Sequence, residues 1–329
     1  MIITRTPFRI SFAGGGSDIP SFYTKHGGCV LSTSINKYMY ITIHPNFNRE
    51  QIVLKYSQTE IVNSREEIKH QYFKQLLKNL DISGVELVSV ADIPSGTGLG
   101  SSSSFTVGVL NAAYAYKGKY VSKERLAKEA CEIEIDQLKN PIGKQDQYAA
   151  SYGGLNFIEF KKDGNVVVEP VIMSNNKLRE LEDNLMMFYT GQLHSASEIL
   201  KEQKDNITSG EKELRQIEMC DLARKLRDLL QEGNIDAMGE ILHQNWLLKR
   251  TLASGISNPI IDEKYDKAIK AGALGGKLLG AGGGGFLLFY VPKDRQEKVK
   301  QAINLPQMQF AFDKQGTSVI YVGDKPDFI

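Results

Sequence analysis

The run Pro94-Ser95-Gly96-Thr97-Gly98-Leu99-Gly100-Ser101-Ser102-Ser103-Ser104 sets three alternate glycines between a strand-like segment and a helix-like one. Glycine lets a backbone turn tightly and approach a ligand closely. The first amides of a helix have no partner inside it and carry partial positive charge. Together these features make a phosphate cradle, with Pro94, Gly96, Gly98, Leu99, Gly100, Ser101, Ser102 and Ser103 as its candidate residues. The serine hydroxyls could cap the helix, hold phosphate oxygens or ligate Mg²⁺. Two common phosphate loops are excluded. G-x-x-x-x-G-K-[ST] needs a lysine that this run lacks, and G-x-G-x-x-G needs a different glycine spacing.

Two further glycine clusters carry less by themselves. Gly280-Ala281-Gly282-Gly283-Gly284-Gly285 matches G-x-G-x-x-G, but Phe286–Val291 behind it reads as a strand, where a dinucleotide loop opens a helix. A second close-approach loop or a tight strand-to-strand turn fits better. Ala13-Gly14-Gly15-Gly16-Ser17-Asp18 places a carboxylate just after a flexible turn, although an Asp capping a turn is common.

The elements that must position these loops are mixed. Arg9–Ala13, Val30–Pro45, Ile52–Tyr56 and Val85–Ile93 read as strands, and 63–80 as a helix with Ile68, Tyr72, Leu76, Leu77 and Leu80 at helical spacing. Ser101–Tyr116 is expected to be helical. Ser122–Leu138 is amphipathic, with Ser122 as N-cap. Gly154–Phe160 and Val166–Ile172 predict a hairpin around Asp163-Gly164, and Leu185–Tyr189 a strand. Residues 195–253 read as mainly helical with Trp246 in the core, as do Pro259–Ala271 and Pro292–Ile303, and the end returns to strands. This is an α+β pattern without regular βαβ alternation or internal repeat. The polar Ser174-Asn175-Asn176 suggests a division into 1–173 and 174–329.

Composition narrows the partners. The chain has 329 residues, 40 Lys+Arg against 39 Asp+Glu, and 41% apolar residues. At about 150 residues per domain, two domains are expected. The neutral balance offers no basic field for nucleic acid or an anionic membrane. The most apolar stretch, Gly285–Pro292, is far below the roughly 18 residues of a membrane span. The start, MIITRTPFRI, has no secretory pattern, and Cys29, Cys131 and Cys220 form no C-x-x-C pair. Reduced, buried thiols in a cytoplasmic protein are expected. The five histidines are dispersed and show no zinc spacing.

The three glycine clusters, in this order, resemble the motifs of the GHMP kinases, which include galactokinase, homoserine kinase and mevalonate kinase. Thr6-Pro7-Phe8-Arg9-Ile10 leading to Gly14–Asp18 is similar to the first motif, Pro94–Ser104 to the second, and Lys277–Phe286 to the third. TPFRISFAGGGSDIPSFY, NPIGKQDQYAASYGG, FYTG and GGKLLGAGGGGF are most similar to bacterial kinases of the anomeric hydroxyl, the D-glycero-D-manno-heptose 7-phosphate kinases, with fucokinase-type enzymes near them. Galactokinase itself usually has Gly-Glu-His-Thr-Asp where this chain has Gly15-Gly16-Ser17-Asp18, which argues against galactose. The resemblance implies an N-terminal domain like the second domain of ribosomal protein S5, a ferredoxin-like C-terminal domain, and ATP in the cleft between them.

It also implies roles. Asp146 would orient the attacking sugar hydroxyl and accept its proton, and Arg9 would hold Asp146 and counter charge on the phosphoryl group. Glu134, twelve residues before Asp146, and Ser102 would ligate Mg²⁺. Asp18, Tyr189, Gly191, Gly282 and Gly283 would line the substrate pocket. Lys249, Arg250 and Lys277 would bind a phosphate already on the sugar. Such kinases are expected to carry an arginine shortly after the Thr-Gly pair, where this chain continues Gln192-Leu193-His194, with His194 a pH-dependent phosphate binder. The implied reaction takes heptose 7-phosphate to the 1,7-bisphosphate. An unphosphorylated sugar such as L-fucose, a non-catalytic ATP and sugar sensor, a diphosphomevalonate decarboxylase activity and a homodimer remain open.

Overall fold

The computed structural model describes residues 1–191, 196–208 and 210–323. The strands are β1 (Ile2–Ala13), β2 (Gly28–Pro45), β3 (Ile52–Lys55), β4 (Thr59–Val62), β5 (Val85–Ala91), β6 (Leu155–Phe160), β7 (Val166–Pro170), β8 (Leu185–Tyr189), β9 (Gly275–Leu278), β10 (Phe286–Tyr290), β11 (Gln307–Met308), β12 (Phe312–Asp313) and β13 (Ser318–Val322). The helices are α1 (Pro20–His26), α2 (Gln71–Asn79), α3 (Ser101–Tyr116), α4 (Lys123–Cys131), α5 (Gln145–Tyr152), α6 (Asn175–Asp183), α7 (Ala196–Asn206), α8 (Gly210–Gln231), α9 (Ala237–Lys249), α10 (Pro259–Ala271) and α11 (Gln296–Ile303).

Two sheets organise them. In the larger, the order is β13-β1-β2-β5-β3-β4, with β12 and β6 also on β2 and β7 on β6. Pairing there is antiparallel except for parallel β3 and β5. The smaller sheet runs β11-β8-β10-β9. Strand β1 is longer than expected, because Pro7 falls at a bulge where its missing N–H costs no ladder bond. A second register shift lies between Ser11 and Ala13. Bulges re-aim side chains, and Arg9 stands between the two.

Strand pairing crosses the expected division at 173/174. The last strands return to the first sheet, Phe312 opposite Ile35 and Val322 opposite Ile2. One hydrophobic cluster joins Phe8, Ile10 and Phe12 to Phe188, Trp246 and Phe289. Ser174 caps α6 by accepting from Lys177 N at 3.3 Å, so the polar stretch is a helix start.

Other local readings agree in type and differ in extent. The β6–β7 hairpin forms around Gly164, and Ser122 caps α4. The 63–80 helix is reduced to a 3₁₀ turn at Arg65–Glu67 and α2. Helices α1, α5 and α6 are not among the expected elements, and α1 and α5 have only seven and eight residues. After Cys131 the chain continues into a π-helical turn, Glu132–Gln137. The three cysteines are free and buried. Among the described residues, no helix is long and apolar enough to cross a membrane.

Candidate active site

The glycine-rich clusters and Asp146 meet at one cavity of about 250 Å³. Gly96, Gly98, Gly100, Ser101 and Ser102 form one wall. Gly100 is left-handed (φ 76°) at the N-cap of α3, and no side chain caps that end. The first amides of α3 therefore stay available to an anion. Leu99 is buried, and its carbonyl accepts from Arg9 N at 3.0 Å, which ties the loop to β1. The third cluster is the turn between β9 and β10. It backs the loop closely: a Cβ on Gly98 would lie 2.5 Å from Leu279 O, and one on Gly280 would collide with Gly98 Cα.

Beside this wall, Asp146 lies in the first turn of α5, and a Cβ on Gly100 would stand 3.2 Å from its Oδ2. Arg9 Nε donates to Asp146 Oδ1 at 2.7 Å and its Nη2 to Oδ2 at 2.7 Å. This two-point pair fixes the carboxylate plane. Arg9 Nη1 donates to Gly98 O at 2.6 Å, so one guanidinium connects the carboxylate to the phosphate loop. Asp146 keeps partial exposure (23% of its side chain) toward the cavity.

Asp18 is nearly buried and lines the cavity. Its oxygens accept from Gly16 N at 3.1 Å and Gln145 N at 3.0 Å. Burial raises its pKa, those amides oppose the shift, and nearby Asp146 adds to it. Lys249, in the last turn of α9, reaches the cavity and donates to Gly280 O. Burial pushes its pKa down to about 8, Arg9 adds to the shift, and Asp18 and Asp146 oppose it.

Several expected residues are placed elsewhere. Ser102 is at the cavity, but Glu134 is fully buried behind α3. Its carboxylate accepts from Ser103 Oγ at 2.7 Å, from Thr106 Oγ1 at 2.6 Å and from Gln147 Nε2. The Glu134 carboxylate is thus committed to three protein donors, Ser103 Oγ among them, while Ser102 lines the cavity. Among the described residues, no group of three or more His, Cys, Asp and Glu could hold a metal. Burial pushes the Glu134 carboxyl up to about 7 against the three hydrogen bonds.

The expected phosphate-binding cations also separate. Lys277 is buried and donates to Phe12 O at 3.1 Å, and burial holds its pKa well below the usual lysine range. Arg250 lies outside the cavity, 3.5 Å from Asp262. Tyr189 and Pro94 line a different, more apolar cleft with Phe286. Gly191 does not line the cavity. Gly282 packs on Ile256 and Gly283 N donates to Ile256 O at 3.1 Å, so Gly280 and Ala281 take their place at the wall. His194 falls outside the described residues.

Sequence reasoning missed Ser11, Gln145 and Gln203, which line the cavity. Gln145 adjoins Asp146 in NPIGKQDQYAASYGG, so its neighbour marks it. Gln203 lies on α7 with only ordinary helical sequence around it, so nothing local marked it.

Comparison with known proteins matches the architecture. The family model "GHMP kinases N terminal domain" matches residues 67–154, and "GHMP kinases C terminal" matches 226–306. The D-glycero-alpha-D-manno-heptose 7-phosphate kinase of Campylobacter jejuni is 31% identical over 96% of this chain and 97% of that one. The bifunctional fucokinase/GDP-fucose pyrophosphorylase of Arabidopsis thaliana is 27% identical over 90% of this chain and 30% of its own length. A crystal structure described as a D-glycero-D-manno-heptose 1-phosphate kinase from Bacteriodes thetaiotaomicron superposes with a TM-score of 0.80 and 25% identity, covering 98% of this chain and all of that one. The chain belongs to the GHMP kinase family and has its fold: an S5-domain-2-like N-terminal part and a ferredoxin-like C-terminal part. Within that family it is a sugar phosphotransferase, and GHMP kinases use ATP as phosphate donor.

Proposed function

We propose that the enzyme transfers the γ-phosphoryl group of ATP to the anomeric hydroxyl of D-glycero-D-manno-heptose 7-phosphate, giving the 1,7-bisphosphate. The observation that carries the reading is the Arg9–Asp146 pair, set between the phosphate loop and the cavity. The 31% identity to a heptose 7-phosphate kinase supports the substrate.

The sugar hydroxyl would lie against Asp146, which takes its proton as the oxygen attacks phosphorus. A weak base suffices, because phosphoryl transfer passes through a loose transition state and depends mostly on positioning. Arg9 holds the carboxylate in one orientation. The amides at the start of α3, with the Lys249 ammonium, counter charge on the transferring group. ADP leaves with the electron pair of the broken P–O bond.

A second reading has its own support. Among the described residues, the Lys and Arg side chains lining the cavity are Arg9 and Lys249, and both face the phosphate loop or the Gly280 turn. The Asp18 carboxylate lies at the same cavity, within electrostatic reach of Lys249. This favours an acceptor without a phosphate, such as L-fucose.

ADP release would be followed with ATP and Mg²⁺ against heptose 7-phosphate, mannose, L-fucose, galactose and mevalonate, with the product's phosphate located by NMR. Turnover of heptose 7-phosphate alone, phosphorylated at C1, is expected. Turnover of a free sugar alone would replace it by the second reading. No turnover alongside ATP binding would point to a sensor. Asp146→Asn should lower kcat at least 1,000-fold, and a wild-type rate would remove Asp146 from the mechanism.

A further inference from the structure

Around the Gly15–Gly16 turn the cavity wall includes neutral amides, a hydroxyl and the Asp18 carboxylate, with Lys249 within electrostatic reach of Asp18. Ser11, Asp18, Gln145 and Gln203 line it, with Ile19 and Leu200. Gln203 is 2% exposed, although it comes from α7 in the C-terminal half. Gln145 Oε1 and, behind the turn, Gln216 Oε1 are buried acceptors with no hydrogen-bond partner among the described residues. A buried acceptor without a partner is costly, and a site built to receive a donor explains it. A Cβ on Gly15 would lie 3.1 Å from Ser11 Oγ and 3.5 Å from Gln145 Oε1, so these two groups flank the same residue. Gly16, at φ 96°, gives Gln203 its place, because a Cβ there would collide with Gln203 Nε2.

The chemistry of this wall selects its occupant. An amide offers a donor and an acceptor, and so does a hydroxyl. The Asp18 carboxylate accepts only and repels an anion. We propose that Gln203 and Gln145 are specificity-determining residues that grip the hydroxyl-bearing, uncharged carbon chain of the acceptor sugar across the Gly14–Gly16 turn. Any phosphate on that acceptor then lies away from this turn. Gln203 thereby brings the C-terminal half into sugar recognition, while Asp146 and Arg9 supply the chemistry from the N-terminal half. The inference rests on the kinase reading, since it assigns the acceptor's position in that cavity.

The test is steady-state kinetics of Gln203→Ala on the acceptor that the wild-type enzyme turns over best, and on deoxy analogues each lacking one hydroxyl. Expected is a KM for the sugar raised at least 10-fold, with kcat within 3-fold and KM for ATP unchanged. For the analogue lacking the hydroxyl that Gln203 reads, the penalty should fall below 2-fold. Gly16→Ala keeps the amide but displaces it, and should reproduce the sugar KM increase if Gln203→Ala fails to fold. An equal penalty on every analogue, or an unchanged sugar KM in both variants, overturns the inference and leaves the kinase reading standing. A wild-type enzyme that turns over no acceptor overturns the kinase reading instead.

Discussion

At the residue scale, the site combines a two-point ion pair with one cation whose charge responds to its surroundings. Arg9 is committed twice, to Asp146 and to Gly98 O. Lys249 is the more adjustable cation, because burial has brought its pKa from 10.5 down to about 8. Its ammonium is charged below that pH and lost above it. KM for ATP should therefore rise as pH passes through about 8, and Lys249→Arg should remove that alkaline limb in a pH–rate series. An unchanged limb in the variant would assign it to another group. The stability effect runs the other way. Between about 8 and 10.5 the unfolded chain holds more protons at this residue than the folded one, so Lys249 makes the fold more stable as pH rises through that window.

At the element scale, two loops act as one unit. Gly98 and Gly280 pack backbone to backbone, and a side chain on either displaces the other. Gly98→Ala and Gly280→Ala should each weaken ATP binding about 10-fold, by calorimetry. The double variant should lose less than the product, because the first substitution already breaks the contact. The π-helical turn after α4 has a separate task. It sets Glu134 against Ser103, Thr106 and Gln147, while Glu132 and Asp136 face solvent. Glu134→Ala leaves three buried polar groups without their acceptor, and should cost about 2–4 kcal/mol in urea unfolding without added metal. An unchanged metal-free stability would show that Glu134 has no such structural role.

At the scale of the whole molecule, the two halves share a sheet and a core. Strands β12 and β13 complete the first sheet, and the core runs across both halves. The fragment 1–173 should show no cooperative thermal unfolding, because the edge of β1 and its apolar faces lose their cover. The full chain should unfold in one transition by calorimetry. Two resolved transitions, with 1–173 folded alone, would establish the division at 173. The cavity has the same dependence, since Asp146 and Arg9 come from one half and Lys249 and Gln203 from the other.

Much of the candidate site was legible in the sequence because its motifs are local. Phosphate cradles need glycines and helix amides within a few residues, so Pro94–Ser104 announced itself. Asp146 and Arg9 were legible through motifs whose spacing survives in the chain, and Trp246 as core through its helical, apolar surroundings. What the tertiary structure decided is which side chains of the right type face the cavity. Glu134, Ser103 and Lys277 are chemically suitable, but a π-helical turn, a helix face and a carbonyl of β1 claim them. Gln203 is an ordinary glutamine until α7 carries it to Gly16. The return of β12 and β13 was equally hidden, since strand pairing across some 300 residues leaves only alternating apolar residues at each end, and those do not name their partner.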